Sequence, residues 1–222
     1  FYLPWLQLHG LVPPNGLGVE GLRENLAAKH RTDDSLQAFG KALSQCFKEV
    51  ARVLKPDGRL VFTYQHKTPG AWQSLGEALH GAGFRVIQLF PMLGDSSVGL
   101  HTHEGSIRWD AVFVARKTET ENSSDSPQGP LTLDPAAQYV AQEHYRKWVT
   151  RLERTCGDDF HSGDSVNFHR ACAVAAALGL NKVCSTTPTA DEGYTSGIGV
   201  GESRKEKPLR EALQEVPITA AV

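Results

Sequence analysis

Along residues 36–54 apolar side chains recur at steps of three and four: Leu36, Phe39, Leu43, Phe47, Val50, Ala51 and Leu54. That spacing is one face of an amphipathic helix. Asp33, Asp34 and Ser35 precede it as N-cap candidates, and Lys55-Pro56-Asp57-Gly58 ends it with a turn. Over Arg59–His66 β-branched and aromatic residues take over, which predicts a strand. Thr68-Pro69 then offers a cap and a first-turn proline to a second helix. Its apolar side is Trp72, Leu75, Leu79 and Ala82, and Gly81 and Gly83 stop it. Phe84–Met92 and Ile107–Arg116 read as two more strands, separated by a loop that holds His101-Thr102-His103. The order helix, strand, helix, strand, strand predicts an α/β unit closing in two successive strands.

The pattern weakens after residue 117. Residues 118–130 are polar and low in complexity, the composition of a linker. Asp134-Pro135 opens a helix reaching about Arg154, with Val140, Tyr145, Trp148 and Leu152 as its expected buried side. Asp164 is a cap candidate for a further helix ending at Gly179. Beyond Asn181 the chain is rich in Thr, Gly and charge, which predicts a flexible tail with at most one short helix near Pro208–Val216. Residues 1–14 are apolar but broken by three prolines, and suit a buried connection. The expected organisation is therefore 1–117, a linker over 118–130, a helical appendage over 131–180 and a tail over 181–222. No repeat of fixed period is visible.

Of the 222 residues, 40% are hydrophobic and 22% charged. No apolar run reaches the roughly 18–20 residues that a membrane span needs, and no basic segment leads into an apolar stretch with a cleavage site. Neither a membrane protein nor a secretory signal is expected. The chain starts at Phe1 and its single methionine is Met92, which predicts a processed N-terminus or a piece of a longer protein. The net charge of −2 is unevenly spread: residues 1–117 hold 13 Lys and Arg against 10 Asp and Glu, residues 118–222 hold 10 against 15. Neither part has the dense basic stripe of a protein that grips many phosphates alone, but the first can contribute to a nucleic-acid surface. Cys46, Cys156, Cys172 and Cys184 show no C-x-x-C spacing. Cys46 and Cys172 fall within helical patterns, where cysteine is usually a small buried hydrophobe. A reducing, cytoplasmic setting with no zinc site and no disulfide framework is expected.

Read as a whole, residues 39–84 comprise an amphipathic helix, the run ARVLKPDGRLVFTYQHKTPGAW, and a helix closing with GAGF. This resembles the second half of a class I S-adenosylmethionine-dependent methyltransferase, where an RVLKPGG turn links a helix to the fifth strand and AGF leads into the hairpin of strands six and seven. More narrowly it resembles the large adenine-specific DNA methylases, whose strand continues as LVFTYHH before a P-x-A-W helix start. Here those positions are Leu60–His66 and Pro69, Ala71, Trp72. Phe1-Tyr2, Trp5-Leu6, Leu100-His101 and Asp110–Arg116 resemble further family segments, so the likeness covers about residues 1–117. It implies a partial Rossmann-like sheet, its last three strands with the final two antiparallel, and a mainly helical appendage. It also implies S-adenosylmethionine as cofactor of the complete enzyme and methyl transfer to an exocyclic amine of adenine or cytosine. DNA is then the partner, together with a missing N-terminal half or a complementing subunit, and no membrane.

Two family features are lacking. No glycine-rich turn of the kind that lets backbone approach the methionine moiety precedes the helix at Leu36. The D-P-P-Y loop, which in the family accepts hydrogen bonds from the amine of a flipped base and stacks its tyrosine on it, is absent too. Pro13-Pro14 is followed by Asn15 and is no substitute. No catalytic residue is therefore expected in this chain, and the cofactor residues are left unknown. The alternative reading is a non-catalytic, split or degenerate fragment serving as a binding or assembly module.

Substrate-facing candidates remain. Tyr64, His66 and Lys67 leave the carboxyl end of a strand, the edge at which open α/β sheets bind ligands. His101 and His103 lie in a loop that suits a DNA-facing position; with Glu104 they lack the converging geometry of a metal site, so no metal is expected. Gly197-Ile198-Gly199-Val200-Gly201 follows no strand and is no phosphate loop. Glu143-His144 and Asp158-Asp159 with His161 look like acid–base pairs, but are expected on a surface helix and loop without a pocket.

Overall fold

In a computed structural model, residues 33–94, 107–118, 129–157, 160–180 and 205–215 are described. The predicted first helix is α1 (Asp33–Val53). It lays Phe47 against Phe62 and Phe84, with ring centroids 5.5 and 6.3 Å apart. Cys46 points the other way and is exposed, because it precedes the inward Phe47 by one residue, a 100° turn of the helix. A helix leaves its last carbonyls without partners. Here Lys117 Nζ donates to the carbonyls of Ala51 and Leu54 at 3.1 and 2.6 Å, placing a cation at the negative end of the helix.

The turn that follows feeds β1 (Arg59–Tyr64), which alternates Leu60, Phe62 and Tyr64 inward with Arg59, Val61 and Thr63 outward. Pro69 occupies the first turn of α2 (Pro69–Gly81), whose Trp72, Leu75 and Leu79 have no exposed surface. Gly83 takes φ +73°, a left-handed value suited to glycine, to turn the chain from α2 into β2 (Phe84–Leu93). The last strand of this part, β3 (Trp109–Lys117), inserts between β1 and β2 and is antiparallel to both. Phe62 faces Phe113 across the β1–β3 ladder, the rings stacked at 5.2 Å. The α/β class is as expected. β1 and β2 never touch, so no neighbouring pair of described strands is parallel and the Rossmann-like part of the expectation is not displayed.

The rest of the chain is not set apart from this unit. After β4 (Thr132–Leu133), α3 (Pro135–Cys156) and α4 (Ser162–Ala177) pack as a pair. α4 also lies on α2, β2 and β3. Its Phe168, Ala171, Cys172, Val174 and Ala175 join one continuous core with Trp72 and Phe113. Burial raises the thiol pKa of Cys172 well above its ordinary value, as an inert core cysteine requires. β5 (Lys207–Pro208) pairs with β4, and α5 (Leu209–Ala212) buries Leu209 and Leu213. Residues 205–215 were expected in a flexible tail; they are docked. The seat is α2 at Gly76, where a Cβ would lie 2.9 Å from Leu209 Cδ2 and 3.1 Å from Leu131 Cδ2.

The two edges of the sheet are treated differently. On β2 the N–H of Val86 donates to the Leu178 carbonyl at 2.9 Å, and the Leu89 carbonyl accepts from His144 Nε2 at 2.8 Å. His144, expected on a surface, is 1% exposed because this bond draws it under α3. β1 has no strand on its outer side among the described residues, and Val61 is 59% exposed. No described helix is long and apolar enough to cross a membrane.

Candidate functional site

Pairing of β1 with β3 stops at Tyr64↔Ala111, and the chain beyond it diverges. Tyr64 turns inward: its ring meets Trp72 edge-on at 4.8 Å and its hydroxyl donates to the Ala71 carbonyl at 3.1 Å. Burial raises its pKa far above the phenol range. It is a core residue at the strand end rather than part of the solvent-facing wall.

His66 is held from three sides. Its N–H donates to Asn167 Oδ1 at 3.1 Å and its carbonyl accepts from the Trp72 indole at 2.9 Å. Its Nδ1 accepts the Thr68 backbone N–H at 3.0 Å, so the neutral ring carries its hydrogen on Nε2. Burial, with the positive charge of Arg170 nearby, lowers the pKa of His66. Lys67, the next residue, is exposed and pairs with no carboxylate among the described residues.

The opposite wall is α4, roughly a hundred residues further along the chain. Asn167, 1% exposed, accepts from His66 and donates through Nδ2 to the Trp109 carbonyl at 3.1 Å. Its side-chain amide thus stands where the β1–β3 ladder would have continued. Arg170 donates through Nη1 to the Lys67 carbonyl at 2.7 Å and through Nε to the Leu213 carbonyl at 3.2 Å. Asp164, expected to begin this helix, is instead its third residue, after the cap His161. Its buried carboxylate accepts the N–H groups of Arg108, Trp109 and His161 at 2.6, 2.9 and 3.1 Å. One carboxylate therefore fixes the start of α4 to the start of β3.

Between these walls is a cleft of about 430 Å³, open to solvent, lined by His66, Lys67 and Arg170 and by the first turn of α4 at Ser162 and Gly163. The carboxyl end of β1, singled out from the sequence, does border a cleft. Asn167 and Arg170 were not found that way: nothing in their helical pattern says that they reach across to residue 66. His101 and His103 lie outside the described residues.

The β1–α2 turn at this cleft is not built as a glycine-rich cofactor loop. A loop of that kind works by leaving backbone N–H groups free and by letting the chain approach the ligand closely at glycine. At the β1–α2 turn the N–H groups of His66 and Thr68 are already donated to Asn167 and to the His66 ring. The described residues contain no cluster of three metal-ligating side chains. No protein-family model, no curated protein and no solved structure matches the chain.

Proposed function

We propose that this chain supplies the closing strands and substrate-side wall of a methyltransferase that modifies an exocyclic amine of a nucleic-acid base. The carrying observation is the order β1-β3-β2, in which the last strand returns antiparallel between the first two. It occurs directly after a helix, the RVLKPDG turn and a strand. A hairpin of the last two strands is what the sequence resemblance calls for. No described strand pairs with the outer side of β1, and this supports the same reading, since that is where a preceding strand would pair. S-adenosylmethionine would be held by a glycine-rich turn and the flipped base by a D-P-P-Y loop, both supplied by another segment or a partner. What the present residues contribute is the wall at His66 and Lys67 and the core that holds it rigid.

Calorimetric titration with S-adenosylmethionine tests the division of labour. The 222-residue chain alone is expected to show no micromolar binding, and such binding would overturn it. Transfer of a labelled methyl group to DNA is then expected once a segment bearing both loops is co-expressed. The edge of β1, which pairs with no described strand, also favours a second reading, a non-catalytic assembly module. Stable association with that segment and no methyl transfer would decide for it.

A further inference from the structure

The cleft at the end of β1 has a chemistry that the strand alone does not explain. Its described lining brings together a lysine, an arginine and an imidazole N–H, with no carboxylate among the described residues. Lys67 has no anionic partner among the described residues, and Arg170 spends Nε and one Nη1 bond on backbone carbonyls while keeping its charge. α4 presents its first turn here, with Ser162 and Gly163 in the lining, at the end of a helix where N–H groups have no intrahelical acceptor. Ile107 and Val166 give the same cleft an apolar strip. A free oxyanion has no use for such a strip, whereas the sugar beside a phosphodiester does.

We infer that this cleft binds one backbone phosphodiester of a nucleic-acid strand, with Lys67 and Arg170 as paired cations, His66 Nε2 as a neutral donor and Ile107 and Val166 against the sugar. The inference rests on the proposed function for the identity of the polymer. It assigns a role to α4, which lies outside the region of family resemblance: the C-terminal part completes the substrate wall through Arg170. Phosphate contacts of this kind position a strand without reading its sequence.

The test uses the full chain and short fluorescein-labelled DNA, single-stranded and duplex, titrated over a range of salt concentrations. Lys67→Gln and Arg170→Gln are each expected to weaken binding about three- to tenfold and to lower the salt dependence by roughly one phosphate contact. Lys55→Gln, at the opposite end of β1, is expected to change neither. Equal losses in all three variants, or none in any, would overturn the site. Arg170 also ties Lys67 to Leu213, so its variant is checked by thermal unfolding; among the described residues Lys67 makes no such tie through its side chain, and its variant carries the test alone if the other unfolds. If inorganic phosphate shifts the NMR signals of Lys67 and His66 while DNA of either form does not bind, the phosphodiester assignment is overturned. If the Lys67 loss persists but the reconstituted protein transfers no methyl group, the enzymatic reading fails and this site stands.

Discussion

Asp164 shows how one side chain joins two distant pieces of backbone. Its carboxylate has no exposed surface and satisfies three N–H groups, two of them more than fifty residues away in sequence. A buried N–H left without an acceptor costs about 1–3 kcal/mol. Asp164→Ala is therefore expected to destabilise by roughly 3 kcal/mol or more in urea unfolding, and Asp164→Asn, which keeps one acceptor oxygen, by less. His144 makes a second residue-scale prediction. Burial, and the charge of Lys147, lower its pKa, and burial does the same for His169. The folded protein therefore takes up these protons less readily than the unfolded chain, whose histidines titrate near about 6.5. Stability is full above that pH and is lost as pH falls through it. Urea midpoints compared at neutral and mildly acid pH are expected to show this drop, with a shallower one in His144→Gln. The sequence announced a polar residue near the start of α4, but not that its acceptors would serve β3. Spacing along one chain carries no information about partners fifty residues off.

Among the elements, α1, α2 and α3 were legible because each buries one side and so keeps a 3.6-residue period. α3 also begins where Asp134-Pro135 indicates, with Asp134 accepting the Ala137 N–H at 2.7 Å. Its innermost line is shifted from expectation. Gln138, Ala141, His144, Val149 and Leu152 are buried, while Val140, Tyr145 and Trp148 lie at the margin. The shift follows from two polar anchors, Gln138 to the Leu133 and Lys205 carbonyls and His144 to Leu89, which rotate the helix toward them. The second half of α4, Ala171–Ala177, is apolar on every side because α2, α3 and the sheet enclose it, so its pattern names no face. The docking of α5 depends on the missing side chain at Gly76. Gly76→Val is expected to cost about 1–3 kcal/mol by overpacking. It should also release residues 205–215 to limited proteolysis before the rest of the chain is cut.

For the whole molecule, the core is shared between the part that resembles a methyltransferase and the part that does not. Trp72 and Phe113 sit in one cluster with Phe168 and Leu213. A chain truncated after Thr118 would expose that face of α2 and the sheet, and is expected to lose cooperative thermal unfolding by circular dichroism. The edge of β1, without a strand partner among the described residues, acts in the opposite direction, as a template for pairing that β2 avoids through Leu178 and His144. Val61→Lys places a charge on that exposed strand. It is expected to reduce concentration-dependent association in light scattering with little loss of stability.

By itself the sequence determined the helices and strands of residues 33–94 and 107–117, because amphipathic periods and turn residues are local physics. It also pointed to the carboxyl end of β1 through the run ending in His66 and Lys67. Only the tertiary structure decided that β3 lies between its two neighbours, that Tyr64 faces inward, and that Asn167 and Arg170 close the cleft. Those outcomes depend on which distant surfaces exclude water together, and the pairing of surfaces is settled when the chain folds rather than residue by residue.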